Sequence, residues 1–291
     1  MKPNELNALI SLLDDPDEGI FSHIKTKIVS LGHDVIPVLE NAWEHSFSPL
    51  LQTRIENIIH SIQFQKIAEN LRLWAKTSDP GLLEGALLVA QYQYPDLDIL
   101  KLNKQIEQIK HDIWLELNDN LTALEKTRVM NHIFFDVHLY SGNTVNYYAP
   151  QNSYINNVIE SRKGNPLSLS IIYAIIAQSL GLPIYGVNLP EHFVLAYGDS
   201  EHSADPSLQN DSSRILFYIN PFSRGAVFSR KEIDAFLKQL KLEPKAEFYG
   251  ICSNIEIIKR LLRNLMNAYE KLGYPDKSGE LESLLNSVTI G

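Results

Sequence analysis

At 291 residues, with 44% hydrophobic and 21% charged side chains, the chain has the composition of a globular protein of one large domain or two to three small ones. A net charge of −9 with no cluster of Lys or Arg excludes a general nucleic-acid or anionic-membrane surface, either of which needs concentrated positive charge. The N-terminal apolar run is too short for a signal peptide, no run reaches the roughly 18 apolar residues of a membrane span, and a lone Cys252 allows no intramolecular disulfide, so a cytoplasmic setting is expected.

Residues 1–95 read as stacked short helices. Asp15 is placed to cap a helix with Pro16 in its first turn, and Ile20, Phe21, Ile24, Ile28 and Leu31 follow at helical spacing. Gly32 ends that helix and Asp34 caps the next, with Val35, Val38, Leu39 and Trp43 expected inward. Two further apolar sets run from Leu51 to Ile62 and from Ile67 to Trp74, and Asp79-Pro80 repeats the Asp-Pro start. Repeated starts of this kind suggest HEAT-like helix pairs, serving as a scaffold or as a partner-binding surface.

Residues 96–140 continue helical, with Leu124, Val129, Ile133, Phe134 and Val137 on one apolar face. His132, Asp136 and His138 lie close in sequence but at a spacing that does not converge on one ion, so no metal site is expected. The polar, aromatic-rich loop 141–154 is too long for a simple turn and is expected to border the site.

A short helix over 153–162 leads into KGNPLSLSIIYAIIAQSLGLPIYGVNLPEHFVLAY. Asn165 is a natural N-cap, Pro166 sits where proline is tolerated at the first helical position, and the helix to Leu180 is apolar on almost every face, as a buried helix must be. Strands are predicted at 184–187, at 193–197 with His192 opening it, and at 215–219 with Asn220 following; the acidic stretch 198–213 between the last two reads as mobile. A helix over 230–240 precedes a helical hairpin over 246–291. There Ser253 and Glu256 form a capping box, and Cys252 either packs on Ile257 or, as a thiol at a helix N-terminus, is reactive.

A buried helix, a strand, and a histidine opening a strand whose partner ends in Asn together resemble the transglutaminase-like (papain-related) superfamily. More narrowly, the chain looks like the SirB-type bacterial branch, a resemblance carried by DPGLLEGALLVAQYQYPDLD, NSYINNVIESRKGNPLSLSIIYAIIAQSLGLP, GVNLPEHFVLAY, FYINPFSRG and RLLRNLMNAY. The resemblance implies an α+β fold, mostly helical, with a helical region (1–95), a transglutaminase-like core holding a small antiparallel sheet (96–245) and a TPR-like hairpin (246–291).

It also implies a Cys-His-Asp/Asn site, with Pro166 at the position of the nucleophilic cysteine, His192 as the histidine and Asn220 as the third member. Proline is no nucleophile. The expected function is therefore a non-catalytic binding or regulatory module for a peptide, a partner protein or a small anion. Asn165, Ser168, Arg162 and Glu191 are the candidate binding residues, beside free helix-start N–H groups. The alternative is a hydrolase or amidase using His192 with water, or Ser168 as nucleophile, although Ser168 is about 200° round the helix from Pro166. A third reading is an architectural scaffold whose cleft is filled by Tyr147, Tyr148 or Tyr154. No cofactor is expected.

Overall fold

A computed structural model describes residues 3–199 and 214–289. Most of the stretch anticipated as mobile, from Ser200 to Ser213, lies outside the described residues. The chain forms two compact units, one up to Asn70 and one from Leu71 onward.

The first unit holds α1 (Pro3–Ser11), α2 (Glu18–Val29), α3 (Ile36–Glu44) and most of α4 (Pro49–Ala75). Asp17, not Asp15, caps α2, with its carboxylate accepting from the N–H groups of Gly19 at 2.7 Å and Ile20 at 3.2 Å. Asp15 Oδ1 instead accepts from Asp17 N at 2.9 Å, a local turn that leaves Pro16 outside the helix. A 3-10 turn over His33–Val35 delays α3 and rotates its face, so Val35, Ile36 and Leu39 are buried while Val38 and Trp43 are exposed, unlike the expected inward set. The two apolar sets before and after Ile62 belong to one continuous helix, α4, because nothing between Ile62 and Ile67 breaks it.

The second unit begins with α5 (Leu82–Gln93), α6 (Ile99–Glu116) and α7 (Ala123–Asn131). Gly81, without a side-chain cap, starts α5, two residues beyond Asp79. A π-helical turn over His132–Val137 follows α7 and shifts the helical phase. Phe134 and Phe135 are therefore both buried beside Met130 and Ile133, while Val137, expected on the same face, is exposed; Leu124, in the first turn of α7, is exposed as well. Next come β1 (Ser141–Gly142), α8 (Ile155–Ser161), β2 (Lys163–Gly164) and α9 (Pro166–Ser179), with β1 and β2 paired in parallel. Then β3 (Ile184–Leu189), β4 (His192–Gly198), β5 (Ile215–Asn220) and β6 (Ala226–Phe228) form an antiparallel sheet in that order. Helices α10 (Arg230–Gln239), α11 (Asn254–Lys271) and α12 (Pro275–Thr289) close the chain.

The chain is mostly helical, and its second unit is α+β with α9 at that unit's centre. From Pro166 to Ala177 every residue of α9 is buried, and the helix packs on β3 and β4. Tyr173, fully buried in α9, donates to Asn131 Oδ1 at 2.9 Å, and Asn131 Nδ2 donates to Gly225 O at 2.8 Å. That relay ties α7 to α9 and fixes the turn after Asn220. Gly225 has φ +71° and a Cβ there would lie 1.9 Å from Asn131 Oδ1, so only glycine fits. No helix among the described residues is long and apolar enough to cross a membrane.

Candidate functional site

The start of α9 is held by a reciprocal cap. Asn165 Oδ1 accepts from Ser168 N at 2.9 Å, and Ser168 Oγ accepts from Asn165 N at 3.0 Å. Ser168 Oγ also donates to Asn152 O at 2.6 Å, and Asn165 Nδ2 donates to Ser153 Oγ at 2.9 Å. Pro166 has no N–H to offer, and Leu169 N is taken by Asn165 O at 3.1 Å. The first turn of α9 therefore has little free donor capacity, Leu167 N being the one amide without a partner among the described residues.

His192 opens β4 opposite Leu189, across a Pro190-Glu191 turn in which Glu191 takes the left-handed conformation at φ +56°. Asn220, at the end of β5, is hydrogen-bonded through its side chain to His192, and its Oδ1 also accepts from the N–H groups of Phe222 at 3.1 Å and Ser223 at 3.3 Å. Burial holds the imidazole pKa below its usual 6.5; the bond to Asn220 opposes this, and the Arg260 charge adds to it. The ring is thus a neutral base around pH 7.

His192 lies between two clefts. The first, of about 170 Å³, has Pro166, His192 and Asn165 in its lining together with Tyr147, Tyr148 and Glu191. The second, of about 340 Å³ and more apolar, is lined by His192, Asn220, Phe228 and Phe236. Pro166 and His192 therefore share a cleft, whereas Asn220 meets that cleft only through the imidazole.

The candidate binding residues divide. Asn165 and Glu191 line the first cleft; Arg162 and Ser168 do not. Arg162 is an exposed left-handed residue ending α8, and Ser168 is 2% exposed with its hydroxyl committed to the cap. Tyr154 is buried and hydrogen-bonded to Tyr269, away from the opening.

The sequence reading missed the opposite wall, which is α11. Arg260, Asn264, Asn267 and Lys271 line the cleft, at positions i, i+4, i+7 and i+11 of one helical face. That polar stripe beside the buried Ile257, Leu261 and Leu265 was readable as a second face, but nothing in its spacing says that it meets His192.

Cys252 takes no part. Its backbone N–H extends the sheet by donating to Gly186 O at 2.8 Å, and burial pushes its thiol up to about 12 rather than down. Ser253 caps α11, but Glu256 pairs with Lys259 instead of closing the box. His132 pairs with Asp136 and His138 with Asp112, and the described residues contain no cluster able to hold a metal ion.

A family model described as the transglutaminase-like superfamily matches residues 101–263, from α6 into α11 and across Pro166, His192 and Asn220. The chain belongs to the transglutaminase-like superfamily. A UPF0162 protein of Xylella fastidiosa is 30% identical to it over 68% of each chain. A UPF0162 protein of Pseudomonas aeruginosa is 26% identical over 67% of each. The human F-box only protein 21 is 27% identical over 78% of this transglutaminase-like chain, which spans only 38% of that protein's length. No solved structure matches.

Proposed function

We propose that this chain is a non-catalytic transglutaminase-like protein of the SirB-type branch, working in the cytoplasm, whose cleft binds a peptide or partner protein instead of transferring an acyl group. The observation that carries the reading is Pro166 in the cleft lining beside His192. A saturated ring with no ionisable proton, its nitrogen lone pair tied up in the peptide bond, stands at the position the superfamily resemblance gives to the attacking thiol. Ser168 offers no replacement, because its hydroxyl serves the cap of α9. In this reading the hairpin of α11 and α12 is a TPR-like element that supplies the second wall.

One observation favours a second reading, a hydrolase in which His192 activates water. Burial holds the imidazole neutral while Asn220 orients it, as a general base requires. Incubating the purified protein with peptide amide and ester substrates, alongside His192→Ala, separates the two. The binding reading expects no turnover by either form and no adduct with an acyl-directed probe. Turnover abolished by His192→Ala would establish the hydrolase instead.

A further inference from the structure

Arg260 is the most unusual charge in the cleft. It sits in α11 with Nη1 donating to Asn188 Oδ1 and, at 2.7 Å, to Leu189 O, so one nitrogen anchors the guanidinium to the end of β3. Its Cζ lies 5.6 Å from the ring centroid of Phe193. No carboxylate pairs with it among the described residues, and its Nε and Nη2 have no protein acceptor there, yet they are not sealed from solvent. Burial lowers its pKa; the Cys252 thiol and the Tyr147 phenol oppose this, Arg263 adds to it, and no carboxylate among the described residues stands close enough to compensate the charge. A partly buried arginine is ordinarily matched by an anion, since leaving its charge uncompensated is costly.

The second cation is Lys271, three turns further along the same face, with Nζ 3.4 Å from the centroid of Tyr148. Glu191 is the acidic residue of the lining, and His192 is neutral. The lining groups therefore carry one net positive charge, within a chain of net charge −9. That balance suits a monoanion. The unused edge of a guanidinium presents two parallel N–H groups, the geometry that a carboxylate accepts in bidentate fashion. Asn264 and Asn267 add amides beside it, Tyr147, Tyr148 and Phe193 add aromatic walls, and a volume of about 170 Å³ admits one residue rather than an extended chain.

We propose that this cleft is a carboxylate-binding site, in which Arg260 and Lys271 on α11 hold the free carboxylate of a peptide while the aromatic wall takes the attached side chain. The proposal rests on the binding reading above and supplies its ligand chemistry. It places the anion on α11 rather than on the start of α9, whose donors are largely consumed by its own cap.

The test is binding of the full chain to two random heptapeptide libraries, one with free C-terminal carboxylates and one C-terminally amidated. Free-acid peptides are expected to bind at least about tenfold more tightly than the same sequences as amides, and Arg260→Gln is expected to abolish the difference. Amidated peptides that bind only when they contain Asp or Glu would assign the carboxylate to a side chain instead of a chain end, and would still support the site. Equal binding of acid and amide forms lacking Asp and Glu, or no binding of either library, overturns it. Arg260→Gln also loses two bonds to β3, so the exposed Lys271→Gln serves as the second variant. It is expected to weaken acid binding about three- to tenfold with unchanged thermal unfolding, and full retention of affinity would count against the proposal. Cleavage of library peptides would sink the non-catalytic reading while leaving carboxylate recognition standing.

Discussion

Replacing Ser168 with alanine distinguishes a capping serine from a nucleophile. The hydroxyl is buried, accepts from Asn165 N at 3.0 Å and donates to Asn152 O at 2.6 Å. Its removal leaves Asn165 N and Asn152 O only their long mutual contact of 3.4 Å. A buried polar group that loses its partner costs about 1–3 kcal/mol. Two such groups, partly rescued by each other, put the loss at about 2–4 kcal/mol, at or above the roughly 2 kcal/mol upper end for a lost helix cap because both groups are buried. For a unit of this size that corresponds to a fall in Tm of roughly 5–12 °C. Ser170→Ala is the control: its hydroxyl makes one bond, to Pro166 O at 2.7 Å, inside the helix, so about 1 kcal/mol or less is expected. Thermal and denaturant unfolding read both variants. A Ser168→Ala protein within about 0.5 kcal/mol of the parent, combined with loss of a measurable turnover, would refute the capping role and restore Ser168 as a nucleophile.

Pro166→Cys should place a thiol in the cleft beside His192, at the start of α9. There iodoacetamide should alkylate it near pH 7 far faster than Cys252, whose thiol burial pushes up to about 12; labelling no faster than that of Cys252 would show that the superfamily geometry is not retained. His192 has a folded pKa below 6.5, so the unfolded chain binds the proton more readily. Its contribution to stability is therefore intact above pH 6.5 and declines as pH falls from there towards the folded value. Urea unfolding of the parent and His192→Gln across that window should show a slope in the parent that the variant lacks; parallel slopes would contradict the burial argument. Arg54→Met should destabilise the first unit by about 3 kcal/mol, because buried Arg54 donates to Leu13 O at 2.8 Å and Asp15 O at 2.5 Å. Hydrogen exchange should confine that loss to residues up to Asn70, and faster exchange throughout the second unit would show that the two do not unfold independently.

The sequence alone reached the elements that depend on local chemistry. Asn165-Pro166 starts α9 because an Asn cap and an N1 proline satisfy a helix terminus within four residues, and α9 is buried because its apolar residues cover every face. His192 opening β4 and Asn220 ending β5 follow from strand patterning and turn residues. Boundaries failed where several local solutions compete. Asp15 and Asp17 can each cap α2, and the winner is set by a side-chain turn that propensity does not resolve. The π turn after α7 has no signature in period-3.6 patterning, so the pattern places Val137 on a face from which the extra residue rotates it.

What the sequence by itself determined is the superfamily fold, because its signature is written in short contiguous segments. What only the tertiary structure decided is the cleft's charge. Arg260 lies 68 positions beyond His192, and no sequence spacing says that α11 folds back to face β4. Long-range juxtaposition is fixed by which apolar faces bury one another, and here the face of Ile257, Leu261 and Leu265 on α11 carries the polar stripe to the site.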